Sequence, residues 1–313
     1  MSALGSVDAV LLIAHGTVDE LDDLPELLAN IRRGHPASPE LLAEVRRRYQ
    51  AIGGRSPLNA INRELAQRLQ NRLGKPVGFA NRLFRPYPQE TLKALADAGV
   101  KRVLVVPLAQ HSAYLYAEAS KKAAADAGLA LVVESVSNWG QNRELTDAFA
   151  QSIAKTLEQV PANERDRTSV LFTAHSLPVS VIEAGDPYED EVKKSAEAVA
   201  ARVRELAPGR FVDHVLAFQS QGMSSGPGGR PMAWLGPDLK SQLGALAARG
   251  RKEVVVAPIG FLADHVEILY DLDIEARSWA EELGLVLRRA PSLDASDGMV
   301  EALMSVIGNY GGG

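Results

Sequence analysis

Apolar runs recur along the chain, each followed by a polar or glycine-bearing turn and then a longer stretch with helical period. The strongest are 9–14 (AVLLIA), 101–107 (KRVLVVP), 169–174 (SVLFTA) and 254–256 (VVV). Continuous apolar runs without alternation predict strands buried on both faces, as in a parallel sheet. Weaker strands are predicted at 77–81, 131–136, 211–219 and 285–288. Helical period is predicted as two helices over 24–52, then at 59–73, 89–98, 114–127, 142–158, 189–206, 237–248, 264–283 and 296–308. Strand and helix alternate throughout, the order of an α/β protein.

The pattern also repeats. LLIAHG at 11–16 matches LFTAHS at 171–176, and KRVLVVP at 101–107 matches KEVVVAP at 252–258. His111 and His265 each follow a strand. The predicted fold is α/β: two similar Rossmann-like halves, each a parallel β-sheet flanked by helices, with an active-site cleft between them. The predicted domains are 1–160 and 161–313, with the last helix packing back on the first half. His15, His111, His175 and His265 all fall just past strand ends, where ligands bind in open parallel sheets.

Composition narrows the chemistry. At 313 residues the chain can bury a large core; 46% apolar and 23% charged residues are ordinary for a globular protein. The net charge of −5 weighs against nucleic acid as a partner. With no cysteine, disulfides, thiolate metal sites and a cysteine-held iron–sulfur cluster are excluded. The first residues lack a basic n-region and no window reaches membrane-spanning length, so a cytoplasmic protein is expected. The stretch GMSSGPGGR at 222–230 has no apolar period and reads as a flexible surface loop, and 311–313 as a frayed end.

The most unusual segment is VVVAPIGFLADHVEILYDLDIE, 254–275. Glu267, Asp271 and Glu275 recur every fourth residue and share one helical face, although like charges at that spacing repel. Carboxylates beside His265, after a buried strand, suggest a site for a cation or for protons; a solvated acidic face is the other reading.

Several stretches together resemble the ferrochelatase family: IGGRSPL at 52–58, AHSLP at 174–178 with GDPY at 185–188, WLGP at 234–237, and PIGF through DHVEILYD at 258–271. The resemblance spans nearly the whole chain. It implies insertion of ferrous iron into a porphyrin in haem synthesis, with iron as a substrate and no tightly bound cofactor; a monomer is the expected state. The implied partners are the porphyrin, the haem product and, in passing, the preceding and following enzymes of the pathway. By resemblance, His175 and Glu267 handle the metal and the pyrrole protons; His175 would ligate iron or accept a proton. Arg48, Asp271 and Glu275 match an outer site for a hydrated cation such as Mg²⁺. Arg32, Arg48, Tyr49 and Ser56 match positions that hold propionates in coproporphyrin-using members.

The chain departs from the family at His15, where tyrosine or methionine is frequent. His15 is a candidate axial iron ligand and porphyrin contact, and AHGT at 14–17 is similar to the first loop of the short sirohydrochlorin-type cobalt chelatases. A tyrosine that coproporphyrin-using members carry near Ala119 is not matched, with Tyr114 or Tyr116 as substitutes. Phe84-Arg85-Pro86 resembles the protoporphyrin-using branch. Coproporphyrin III is therefore the favoured substrate and protoporphyrin IX the alternative. A haem- or porphyrin-binding carrier on the same scaffold is the reading from another class.

Overall fold

The computed structural model describes residues 7–221 and 232–310. The glycine-rich stretch at 222–230 and the glycine end at 311–313 lie outside the described residues. The strands are β1 (Ala9–Ala14), β2 (Val77–Asn81), β3 (Arg102–Pro107), β4 (Val132–Ser135), β5 (Thr168–His175), β6 (Asp213–Gln219), β7 (Glu253–Ala257) and β8 (Val286–Arg289). They form two four-stranded parallel sheets, ordered β2-β1-β3-β4 and β6-β5-β7-β8. The second order is the first with each strand replaced by its repeat. In each sheet the order reverses between the two central strands, the switch point where α/β sheets open a ligand crevice.

The chain packs as two compact units. One takes the chain through Glu144 with Ala263–Val266 and Asp294 onward; the other takes Leu145–Leu262 and Glu267–Leu293. In the first half lie α1 (Leu24–Ile31), α2 (Pro39–Ala51), α3 (Leu58–Leu73), α4 (Pro88–Asp97), α5 (Ala113–Asp126) and α6 (Arg143–Leu157). The division falls inside α6, most of which is tied into the second unit: Asp147 pairs with Arg202 at 2.6 Å, and Ser152 Oγ donates to the Pro291 carbonyl at 2.8 Å. The second half carries α7 (Val179–Glu183), α8 (Tyr188–Leu206), α9 (Leu239–Ala248), α10 (Val266–Tyr270), α11 (Arg277–Glu282) and α12 (Asp297–Gly308). The helix α12 packs on α3, through Arg68 with Asp297 and Arg72 with Glu301. No described helix is long and apolar enough to cross a membrane.

The cores follow from the buried runs. Leu11, Ile13, Val103 and Val105 on one face of the first sheet meet Leu92 and Leu95 of α4 and Tyr116 and Ala124 of α5. In the second, Leu171, Val254 and Val256 meet Leu239, Leu243 and Leu246 of α9 together with Ile268, Leu272, Ala276 and Ala280. Those last four residues recur at every fourth position. In an α-helix such a line drifts by roughly 40° per step. The chain between α10 and α11 answers this with a π-helical turn, Asp271–Ala276, in place of the single helix expected to 283. The wider turn keeps all four apolar side chains in the core. It also keeps Glu267, Asp271 and Glu275, one residue earlier at each step, on the neighbouring stripe.

Candidate active site

The second unit is built around His175, the last residue of β5. Three motifs far apart in sequence converge on the backbone between Thr173 and Leu177. Tyr188 of GDPY donates its hydroxyl to the His175 carbonyl at 2.8 Å, and its own N–H is capped by Asp186 at 2.9 Å. The next residue, Ser176, is buried; its N–H donates to the Gln219 carbonyl at 2.8 Å and its hydroxyl to the Leu235 carbonyl at 2.9 Å. HSLP and WLGP then zip together, with Leu235 N–H donating to the Leu177 carbonyl at 2.9 Å. Gly260 brings the loop after β7 against this strand end: its N–H donates to the Thr173 carbonyl at 3.0 Å. A Cβ at Gly260 would lie 2.5 Å from Ala174 Cα, so no other residue fits without a backbone shift.

The imidazole of His175 donates from Nδ1 to the Ser176 carbonyl, which leaves Nε2 directed at Glu267 Oε2, 3.7 Å away. The side chains are 35% and 36% exposed, so each reaches an open surface. Burial acts to lower the His175 pKa. The charge and hydrogen bond of Glu267, the Ser176 carbonyl and the charge of Asp271 outweigh it and hold the imidazolium above the usual histidine range. Phe261 packs at 6.4 Å between ring centroids. The pair thus favours a proton shared between an imidazole and a carboxylate, and in its deprotonated form offers one nitrogen and one oxygen donor to a cation. Among the described residues no three His or carboxylate side chains converge as a closed metal cage.

Asp271 is not on a solvated face. It is 5% exposed and accepts the Ser220 hydroxyl at 2.6 Å. Ser220 holds a left-handed φ of 59°, a conformation that costs roughly 1–2 kcal/mol in an L-residue. Its neighbour Gln219 donates to the Glu267 carbonyl at 3.3 Å. Glu275 is half-buried in the π-helical turn. Sequence reasoning missed Gln219, Ser220 and the role of Tyr188. Only the position of Gln219 and Ser220 at a strand end could have flagged them.

In the first unit, His15 is exposed immediately after β1. Its carbonyl accepts from Leu83 N–H at 2.9 Å, and Gly16, at φ 116°, lets the 81–84 segment approach. Tyr116 Oη lies 3.4 Å from His15 Nδ1. Arg32 is half-buried at the end of α1. Arg48 is one-third exposed on α2 and donates to Glu44 at 2.9 Å; with Arg47 it pulls the Glu44 carboxyl down to about 2.

Two expected propionate contacts do not offer hydroxyls on a loop surface. Tyr49 is 2% exposed, packed with Val18, Leu24, Leu27 and Phe84, and its hydroxyl meets Thr17 Oγ1 at 2.7 Å. Ser56 is 4% exposed and accepts the Leu58 N–H at the start of α3. Core packing thus surrounds the Tyr49 hydroxyl, and the Ser56 hydroxyl faces the first turn of α3. Of the remaining strand-end histidines, His111 is 2% exposed and burial pushes it down to about 4. It is a neutral core residue, not a rim ligand. His265 is half-buried, its Nδ1 3.0 Å from the Ala263 carbonyl.

The family model described as ferrochelatase matches residues 7–310. The chain belongs to the ferrochelatase family. It is 38% identical over 310 residues to the ferrochelatase of Acidobacterium capsulatum, covering 94% of this chain and 92% of that one. It is 37% identical over 297 residues to the coproporphyrin III ferrochelatase of Nocardia farcinica, covering 91% and 83%. The solved structure of SirB from Bacillus subtilis with Fe³⁺ superposes with a TM-score of 0.57 at 14% identity, covering 97% of each chain, which shows the shared fold. As a ferrochelatase-family enzyme, the chain inserts iron into a porphyrin in haem synthesis.

Proposed function

We propose that the substrate is coproporphyrin III and that His175 and Glu267 carry the reaction. The observation behind this assignment is the 3.7 Å approach of His175 Nε2 to Glu267 Oε2 at the end of a central strand. Metallation converts Fe²⁺ and a free-base porphyrin into a metalloporphyrin and two protons. Two acceptors are needed, and a neutral imidazole with an adjacent carboxylate supplies them. The same two atoms are the donor types that ferrous iron takes. Nε2 accepts metal or a pyrrole proton only as the neutral imidazole, so a proton that Glu267 favours on His175 has to leave first. Asp271, fixed by Ser220 and adding its charge to the pair, favours cations at this strand end. His15, exposed on its own strand end and of a ligand type that needs no deprotonation, is assigned to the iron axis. The enzyme is placed in the cytoplasm.

Substrate preference rests on relatives named for coproporphyrin III at 37% identity. Anaerobic Fe²⁺ insertion, with coproporphyrin III and protoporphyrin IX side by side, tests both parts. Wild type is expected to prefer the four-propionate porphyrin, and His175→Ala and Glu267→Gln to lose most of the turnover. Equal use of the two porphyrins overturns the substrate; undiminished turnover by both variants overturns the site.

A further inference from the structure

We propose that Tyr116 is a positioning residue for His15: it decides which imidazole nitrogen faces iron, and Arg82 holds Tyr116 in place. The inference rests on the reading of His15 as an axial ligand. All three residues belong to the first unit and come from three different segments: the end of β1, the turn after β2, and α5.

Tyr116 is 8% exposed, its ring locked in the core with Leu11, Ile13 and Val105. A ring so confined cannot swing, so its hydroxyl has one address, 3.4 Å from His15 Nδ1. The Arg82 guanidinium lies 5.6 Å over the same ring, and the Arg82 N–H donates to the Ala14 carbonyl at 2.8 Å, one residue before His15. Arg82 thereby ties the tyrosine and the backbone of the ligand loop to each other, by a cation–π contact at one end and a main-chain bond at the other.

A histidine binds metal through one nitrogen, and the bond made by the other fixes tautomer and ring orientation. With Nδ1 beside Tyr116, Nε2 is the nitrogen that faces iron. In the ligating tautomer Nδ1–H donates to Tyr116 Oη and the lone pair sits on Nε2, so no proton leaves the ring on binding. The 3.4 Å separation is long for such a bond. Ligation makes Nδ1–H more acidic and should draw the two atoms together. A donated hydrogen bond also makes imidazole a stronger donor to the metal.

The experiment adds ready-made ferrous coproporphyrin, so that no insertion step is needed, and reads the iron–imidazole stretching band by resonance Raman. Wild type is expected to show the band and His15→Ala to lack it. Tyr116→Phe should shift it to lower frequency, and Arg82→Gln, which leaves the core ring untouched, should shift it less in the same direction. A Tyr116→Phe band that coincides with wild type overturns the proposal. So does a band that survives in His15→Ala, or one missing from wild type. If Tyr116→Phe does not fold, an unshifted Arg82→Gln band overturns it. Fe²⁺ insertion by the same wild-type preparation is measured alongside; loss of turnover there would count against the enzymatic reading and leave the spectra to decide on Tyr116.

Discussion

The two sheets have one strand order, yet matched strand ends meet opposite environments. His15 directly follows β1, and His175 is the last residue of β5. His15 meets the phenol of Tyr116, whereas His175 meets the carboxylate of Glu267, which favours its protonated form. The third strands diverge further. After β3 the chain turns straight into α5 and buries His111, which burial pushes down to about 4. After β7 the Gly260 turn and the α10, π-helical and α11 segment place Glu267 and Asp271 beside β5. The repeat supplies positions; the segment that follows a strand decides whether a histidine there is core or chemistry.

The largest effect should come from His175→Ala, which removes a proton acceptor and a metal donor together. Iron insertion should fall by roughly 10²–10⁴-fold with the circular dichroism spectrum unchanged. Turnover near the wild-type rate would break the contrast between the two strand ends.

The two histidines should also pull stability in opposite directions with pH. Between the ordinary value near 6.5 and about 4, the unfolded chain protonates His111 and the folded protein does not. Acidification through that window should therefore weaken folding, by up to about 3 kcal/mol for a shift of this size. His175 has the reverse sign: its contribution is present below the ordinary value and is lost as pH rises through its raised one. Urea midpoints measured from pH 7 to 4 should fall less steeply in His111→Gln than in wild type. Parallel curves would mean that His111 is not the neutral core group described.

Gly260→Ala forces a methyl into the Ala174 backbone and should cost about 1–3 kcal/mol, read as a lower urea midpoint. A neutral effect would show that the loop after β7 is not held against β5. The smallest effect is expected from Tyr188→Phe. It deletes one hydrogen bond to the His175 carbonyl and should cost about 0.5–1.5 kcal/mol in the same assay. Any larger loss of turnover than of stability would show that the GDPY motif positions the imidazole and does not merely support the fold.

Much of this was legible in the chain. The buried runs at β1, β3, β5 and β7 announced parallel strands because all but one end residue of β3 and of β5 are buried. Helix ends followed from local chemistry, as where Ser296 caps α12 or Gly74 ends α3 with a φ of 64°. His175 and Glu267 stood out by motif. Tyr49 and Ser56 did not reveal themselves as buried residues, since a hydroxyl in a sequence carries no mark of what it will meet. The π-helical turn was also hidden, because a fourfold apolar repeat at Ile268, Leu272, Ala276 and Ala280 is compatible with an ordinary helix until packing demands that all four stay buried.

The sequence by itself determined the α/β alternation, the internal repeat and the residue types available for iron and protons, because these depend on local periodicity and side-chain chemistry. Only the tertiary structure decided which histidine has its pKa raised, which is neutral and buried, and which carboxylate is exposed to a ligand. Those outcomes depend on distances of a few ångströms between segments far apart in the chain. Desolvation and charge act through space, not along the backbone.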